Sequence, residues 1–281
     1  MSLKKILKER LKDRISEKEL SMIRRSFEVI GDVVIIDLPD EVYHLRDEVV
    51  KAILEKHRHV KTILRKVGEV SGDYRVARYE VLYGGETETV AKEHGCRFLL
   101  DPTKVYYSVK LSGERERIFK LVRPGERVLV MFAGVGPFAI TIARNARPKE
   151  VVGVELNPEA VKYFKKNVKL NKLENVRVYE GDVREVVPKL EGKFDRILMP
   201  SPNNAQEFAD VAALKAKPGT VIHYYTFAGV EEEKDLPERV EKLFSPYLKG
   251  KAVFIRRCGN FAPYVYRYVV DLVVEDLKLE D

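Results

Sequence analysis

The sequence predicts a mixed α/β protein in which a small α+β domain precedes a doubly wound, mostly parallel sheet. From about residue 117 onward, apolar strand patterns alternate with helical patterns, as in βαβ units whose sheet is covered on both faces. Before residue 101, short apolar stretches are separated by turn signals, as in a mostly antiparallel sheet. We therefore expect a first domain over residues 1–101 and a second over residues 102–281.

The first domain is predicted to begin with an amphipathic helix over residues 3–15 whose polar face is basic. Phe27–Ile30 and Val33–Leu38 flank a Gly-Asp pair, which predicts two short strands joined by a tight turn. A helix is expected from Pro39 to about His57. Further strands are predicted at Val60–Leu64, Tyr74–Leu82, Thr87–Ala91 and Arg97–Asp101.

The second domain is predicted to contain seven strands and four helices. The strands are expected at Val128–Phe132, Val151–Glu155, Val176–Tyr179, Ile197–Met199, Val221–Thr226, Ala252–Arg256 and Val265–Val274. The helices are expected around Phe138–Arg144, Pro158–Leu170, Ala205–Lys217 and Pro237–Leu243. The last two strands are close in sequence, which predicts a terminal antiparallel hairpin.

Composition narrows the class of protein. Fifty-one Lys and Arg against 44 Asp and Glu give a net charge of +7, which permits a polyanionic partner such as nucleic acid without requiring one. Cys96 and Cys258 are far apart and form no CxxC, so we expect a reducing cytoplasm and neither a disulfide scaffold nor a zinc site. We find no signal-peptide pattern and no apolar run of membrane-spanning length. A charged fraction of 34%, rich in Lys and Glu, leans toward a thermophilic source.

A glycine-rich turn after the first strand of the second domain is the candidate cofactor site. Residues 127–139 read RVLVMFAGVGPFA, an apolar run that ends in the turn and is followed at once by a helix start. Gly134, Gly136 and Ala139 also fit G-x-G-x-x-A, the fingerprint of dinucleotide-binding enzymes. The turn alone therefore leaves an NAD-dependent oxidoreductase open.

Three features favour S-adenosylmethionine over NAD. Pro137 removes an N–H donor where a pyrophosphate would use one. Glu155 closes the second strand, where a carboxylate can accept both ribose hydroxyls. Asp182 closes the third strand, where an acid suits the adenine amino group. Each acid alone could be a helix cap or a surface carboxylate, but the ordered set predicts ribose and adenine partners without a pyrophosphate cradle.

Seven short segments, spread over nearly the whole chain, match in order and spacing the pattern of a known family. They are GDYRVARYE (72–80), KVYYS (104–108), GERERI (113–118), MFAGVGPF (131–138), DVREV (182–186), IHYYT (222–226) and AP (262–263). The chain thereby resembles archaeal tRNA methyltransferases that modify N1 of the guanine just 3′ of the anticodon. The wybutosine-pathway enzyme that transfers the aminocarboxypropyl group of S-adenosylmethionine to tRNA is also similar.

The resemblance implies a Rossmann-like class I methyltransferase domain that uses S-adenosylmethionine and no metal. It also implies a monomer, not bound to a membrane, that contacts the anticodon stem-loop of tRNA. The family methyltransferase often carries an extra small N-terminal domain, and this chain is expected to start after it.

Roles for individual side chains are likewise implied by the resemblance. Glu114 matches the proposed general base, Arg75 a residue that holds the guanine O6 or a phosphate, and Tyr106 a residue near the cofactor and the target base; Pro202 is retained from the segment after the fourth strand. Without the resemblance, the first three would be assigned to helix-start charge, solvated surface and sheet core. The implied cofactor contacts are Phe132, Gly134, Gly136, Glu155, Asp182 and Tyr106. Candidate RNA contacts are Arg75, Arg78, Lys110, Arg115, Arg256 and Arg257, the last two close to the aromatic segment 260–264.

The chain departs from the family pattern at three positions. Val130 replaces an acid that helps anchor the methionine end of the cofactor, and Lys110 replaces an arginine. Pro200 replaces an asparagine that would contact the guanine edge, a role for which Ser201 is a candidate. These departures leave open the transfer of a methyl or aminocarboxypropyl group to a wyosine precursor. They also leave open a catalytically silent tRNA-binding relative.

Overall fold

The computed structural model describes residues 3–12, 15–23, 27–71 and 76–278. The chain divides into two compact units, one of residues 1–92 and 99–109 and the other of residues 93–98 and 110–281. No helix in the described part of the chain is both long and apolar enough to cross a membrane.

The first unit contains a four-stranded sheet in the order β1-β2-β3-β4. Its strands are β1 (Glu28–Ile30), β2 (Val33–Ile36), β3 (Thr62–Ser71) and β4 (Val76–Tyr83), and its helices are α1 (Leu3–Leu11), α2 (Glu17–Met22) and α3 (Arg46–Lys56). Two of the three strand pairs are antiparallel, which confirms the predicted α+β character. The pairing of β2 with β3 is parallel because a 3-10 turn and α3 connect them.

The first helix is shorter than predicted. It ends at Leu11 instead of Ile15, and a second helix begins after Ser16. Ser16 and Glu19 form a capping box in which the Ser16 hydroxyl accepts the N–H of Glu19 at 3.1 Å, while Glu19 accepts the N–H of Ser16. This local stop-and-start signal overrides the continuous apolar periodicity.

Two strands, β5 (Thr89–Glu93) and β6 (Cys96–Leu100), form a separate two-stranded sheet. The second unit then builds a seven-stranded sheet in the order β12-β13-β11-β10-β7-β8-β9. Its strands are β7 (Arg127–Met131), β8 (Glu150–Glu155), β9 (Val176–Glu180), β10 (Arg196–Met199), β11 (Val221–Gly229), β12 (Leu248–Ala262) and β13 (Val265–Leu277). Its helices are α4 (Ser112–Leu121), α5 (Pro137–Asn145), α6 (Pro158–Leu170), α7 (Val183–Val186), α8 (Ala209–Leu214) and α9 (Leu236–Phe244).

The predicted doubly wound sheet is confirmed. Strands β9, β8, β7, β10 and β11 are parallel neighbours, whereas β13 and β12 pair antiparallel at one edge. The central strands are apolar throughout because both faces are covered; Val128, Leu129, Ile197 and Leu198 are inaccessible to solvent. The winding direction reverses at β7, since β8 and β9 lie on one side of it and β10 and β11 on the other. The carboxyl end of β7 is therefore the switch point at which such sheets bind ligands.

Candidate cofactor and active site

The glycine turn lies directly after β7, at the switch point. Gly134 and Gly136 have φ angles of 58° and 91°, in the left-handed region that favours glycine. Gly136 is the N-cap of α5 and Pro137 occupies the first turn of the helix, as predicted. A Cβ on Gly136 would overlap the ring of Phe164, and so would a Cβ on Gly153 of β8. These two glycines therefore make room for a buried aromatic ring.

Two backbone N–H groups of the turn already have hydrogen-bond partners. Gly134 donates to Oε2 of Glu155 at 2.7 Å, and Gly136 donates to the carbonyl of Ala133 at 3.0 Å. Pro137 has no N–H to offer. A pyrophosphate would need these donors, so the turn does not fit a dinucleotide in the usual manner.

Glu155 lies at the carboxyl end of β8, next to the turn. Its Oε1 accepts the N–H of Asn157 at 2.8 Å, and its Oε2 accepts the N–H of Gly134. The backbone N–H of Leu156 also favours the charged carboxylate, so one of its four lone-pair positions is left for a ribose hydroxyl. Burial raises the pKa of Glu155 above its ordinary value, even though backbone N–H groups favour the charged form. A carboxylate held in this way can orient a hydroxyl-bearing ligand.

Asp182 follows β9 and is the N-cap of α7. Its Oδ1 accepts the N–H of Arg184 at 2.8 Å. Asp182 is therefore a helix cap, one of the alternatives that the sequence left open. Its second oxygen, Oδ2, can still accept a ligand amino group. Phe132 has a φ of 57° and packs edge-on against Phe208, with ring centroids 5.1 Å apart. The proposed cofactor contacts in this unit thus cluster at the carboxyl ends of β7, β8 and β9.

Glu114 lies near the start of α4 with only 3% of its surface exposed. Its Oε1 accepts the Tyr225 hydroxyl and a terminal nitrogen of Arg117, both at 2.8 Å. Its Oε2 accepts Nε of Arg117 at 3.0 Å. Burial, and next the Glu114 carboxylate, raise the pKa of Tyr225 well above its ordinary value, so this hydroxyl remains a donor. Three of the four lone-pair positions of Glu114 are occupied, and one on Oε2 is left.

A buried polar network continues from Arg117. Its guanidinium also bonds both oxygens of Asp271, at 2.6 and 3.1 Å, and Asp271 accepts Nδ1–H of His223 at 2.6 Å. Arginine can only donate, so Nε2 of His223, 2.7 Å from Arg196, acts as the acceptor and the imidazole is neutral. Burial lowers the pKa of His223 accordingly. Burial alone would raise the pKa of Asp271, but His223 and Arg117 lower it to about 2.

The remaining predicted residues are dispersed. Arg75 lies outside the described residues. Tyr106 and Arg78 belong to the first unit, where both are exposed, so Tyr106 is not sheet core. Lys110 is exposed in the second unit, and Pro202 is buried there.

The structure corrects the expectation for Arg115. It is buried, and its guanidinium is held by Glu93 with one nitrogen 2.7 Å from Oε2. A phosphate cannot reach a group enclosed in this way, so the expectation that Arg115 contacts RNA is wrong.

The structure also places the positions at which the chain departs from the sequence pattern that it resembles. Val130 is inaccessible to solvent in the core, and its apolar side chain offers no polar contact to a ligand. Pro200 is half-buried, and the neighbouring Ser201 donates its hydroxyl to Oδ1 of Asn204 at 2.6 Å. The Ser201 hydroxyl is therefore already engaged.

The network around Glu114 was not predicted from the sequence. Two signals were present: His223 interrupts an apolar strand, and Asp271 stands within the apolar run VVDLVV. A polar residue amid such a run must find a buried partner. The sequence does not reveal which partner, because His223 and Asp271 are 48 residues apart.

Comparison with known proteins places these features in a family. Residues 89–255 match the model described as TRM5/TYW2 methyltransferase domain, and residues 7–87 match the TYW2 N-terminal domain. The chain is 40% identical to tRNA (guanine(37)-N(1))-methyltransferase Trm5b of Pyrococcus abyssi, over 89% of this chain and 74% of the relative. It is 35% identical to the tRNA(Phe) (4-demethylwyosine(37)-C(7)) aminocarboxypropyltransferase of Methanocaldococcus jannaschii, over 89% and 98%. The complex structure of aTrm5 and tRNALeu superposes with a TM-score of 0.83 at 35% identity, covering 98% of this chain and 78% of that one.

Proposed function

Because the chain belongs to the TRM5/TYW2 methyltransferase family, we propose that it transfers the methyl group of S-adenosylmethionine to N1 of guanine 37 in tRNA. The observation that carries the cofactor assignment is Glu155, which the N–H of Gly134 in the glycine turn orients at the switch point. The relatives named as guanine-37 methyltransferases support the substrate.

Bound S-adenosylmethionine supplies an electrophilic methyl group on a sulfonium. Guanine N1 carries a proton at neutral pH, so a base must accept that proton as the N–C bond forms, the S–C bond breaks and the neutral thioether leaves. Glu114 is our candidate, through the free lone pair of Oε2. Arg117 and Tyr225 hold the carboxylate in one orientation, and Arg117 balances its charge in the buried site. Glu155 orients the ribose, and Asp182 the adenine. Arg75 supports the guanine O6, and Tyr106 contacts the flipped base.

A second candidate keeps the cofactor and changes the transferred group or the acceptor base. The match of residues 7–87 to the TYW2 N-terminal domain favours it. So do Val130 and Pro200, which remove two side chains of the methyltransferase pattern. A wyosine precursor at position 37 would then receive a methyl or aminocarboxypropyl group.

The experiment is nucleoside mass spectrometry on a tRNA transcript with guanine at position 37, incubated with enzyme and S-adenosylmethionine. The proposal expects 1-methylguanosine, and none in a transcript with adenine at position 37. Glu114→Gln should lower kcat while leaving the affinity for S-adenosylmethionine unchanged, which separates proton transfer from cofactor binding. An absence of methylguanosine from the guanine-37 transcript would reject the methyl transfer.

We further propose that the enzyme acts as a monomer, without a metal, in the cytoplasm of a thermophilic archaeon. Archaeal relatives and the high content of Lys and Glu support this assignment. Light scattering should give a mass near 32.3 kDa. A dimer mass, or activity lost on treatment with EDTA, would contradict it.

A further inference from the structure

The ribbon of β11, β12 and β13 extends past the rest of the sheet. Met199, the last residue of β10, pairs with Tyr224, whereas β11 continues to Gly229, which pairs with Val265. Five residues of extended chain at about 3.3 Å each place the ribbon tip about 16 Å beyond the end of β10. The ribbon rises from the same carboxyl edge of the parallel strands that carries Glu155.

Cross-strand pairs show which side chains share the face of the ribbon next to Glu114. Residues directly opposite each other in antiparallel strands share a face. Tyr225 pairs with Val269, and Val269 pairs with Arg256. Because the Tyr225 hydroxyl reaches Glu114, Arg256 lies on the face that looks toward the candidate active site.

Arg257 belongs to the opposite face. It pairs with Tyr268, one position along the ribbon, and its guanidinium bonds Glu233 at 2.7 Å. It also lies 3.9 Å from the ring centre of Tyr266. The two adjacent arginines that the sequence offered as RNA contacts are therefore not equivalent.

Aromatic rings cover the tip on the Arg256 face. Phe227, two residues beyond Tyr225 on β11, stacks on Phe261 with ring centres 4.0 Å apart and an interplanar angle of 26°. The guanidinium of Arg267 lies 5.5 Å from the centre of the Phe227 ring. Phe261 is nevertheless 59% exposed, so one side of this stack is open.

Tyr264 adds a second, independent observation. It forms the turn between β12 and β13 with Pro263, has a φ of 61° and is 80% exposed. A turn position of this kind favours glycine or asparagine, and a bulky residue there is uncommon. Neither backbone preference nor burial accounts for a tyrosine ring at this position, whereas contact with a ligand does.

We propose that the ribbon tip, with Phe227, Phe261, Arg256 and Arg267 on one face and Tyr264 in its turn, docks single-stranded nucleotides of the anticodon loop that flank the target base. This inference rests on the proposed function. Unstacked bases pack on aromatic rings whatever their sequence, and the guanidinium groups complement the phosphates between them. A stack open on one side, flanked by cations and standing above the site, has the chemistry such a strand needs.

The decisive variant is Tyr264→Gly, because it removes the ring and relieves the backbone at the same position. We expect binding of an anticodon stem-loop to weaken roughly 5- to 150-fold, the range for loss of one base stack, with no fall in melting temperature. Tyr264→Phe should bind like the wild type because it keeps the ring. Val253→Ala is the matched control, since Val253 is exposed to the same 59% as Phe261 on the same strand, away from the tip.

Fluorescence gives a direct readout of stacking. The chain contains no tryptophan, so Tyr264→Trp introduces a single indole at the tip. Titration with the stem-loop should quench its emission, while Val253→Trp should show no change. Unchanged emission from Tyr264→Trp at saturating stem-loop would overturn the proposal. So would Tyr264→Gly binding as tightly as the wild type. A wild-type protein that binds no tRNA would instead overturn the proposed function along with it.

Discussion

Replacing Gly136 by alanine tests whether the glycines around the turn serve the packing of Phe164. Two costs add at this position. A left-handed φ of 91° costs an alanine about 1–2 kcal/mol, and overlap with the Phe164 ring costs about 1–3 kcal/mol. Alanine also makes the unfolded chain less flexible than glycine does, which stabilises the folded protein by about 0.4–1 kcal/mol. We therefore expect Gly136→Ala to lower the free energy of unfolding by about 2–4 kcal/mol.

Gly153→Ala is the matched comparison, because it overlaps the same ring without a left-handed φ. Its expected cost is about 0.5–2 kcal/mol, because the same loss of glycine flexibility in the unfolded chain offsets part of the overlap. Guanidinium denaturation of each variant, alone and combined with Phe164→Leu, forms two double-mutant cycles. Removing the ring should relieve most of the Gly153→Ala cost but leave the backbone cost of Gly136→Ala. Wild-type stability of both alanine variants, or no relief by Phe164→Leu, would refute this account of packing.

Three further outcomes are expected. Glu155→Ala should weaken the binding of S-adenosylmethionine, measured by calorimetry, by about 1.5–3 kcal/mol, the value of hydrogen bonds to a charged group. Because burial raises the pKa of Glu155, the affinity of the wild type should also fall as the pH drops through that raised value. An affinity unchanged by the substitution would contradict the ribose assignment. Arg117→Met leaves the buried carboxylates of Glu114 and Asp271 without their cation and should lower the free energy of unfolding by about 3–5 kcal/mol. A loss below 1 kcal/mol, measured by denaturation, would show that the network is not coupled. Burial raises the pKa of Cys96 to about 11 and that of Cys258 to about 12, so neither thiol should react with iodoacetamide at pH 8 until the protein unfolds; rapid labelling of the native protein, followed by mass spectrometry, would contradict this.

The alternation of strands and helices could be predicted because each buried parallel strand is a continuous apolar run, as in Val128–Met131. The sheet edge at which we propose the cofactor binds could be predicted for the same reason. Once the strands are known to be parallel, Glu155 and Asp182 must lie at one edge of the sheet. The position of each acid at the end of its strand was sufficient to predict that the two lie at the same edge.

The arginines could not be separated by sequence. Arg115 and Arg117 stand two residues apart in one helix, yet the first is enclosed with Glu93 and the second holds Glu114 and Asp271. Their partners come from distant segments, so only the packed structure decides which cation is available to RNA. The same holds for the glycine turn. The aromatic ring of Phe164, which requires a glycine at position 136, lies on a later helix, so the sequence near the turn does not reveal it.

Two separately labelled forms of S-adenosylmethionine test the central claim most directly. One carries label in the methyl carbon and the other in the carboxyl carbon, and each is incubated with enzyme and the guanine-37 transcript. Methyl transfer predicts methyl label in the RNA, located at N1 of nucleotide 37, and no carboxyl label. Carboxyl label in the RNA, from this transcript or from one carrying 4-demethylwyosine, would contradict the claim, as would the absence of both labels.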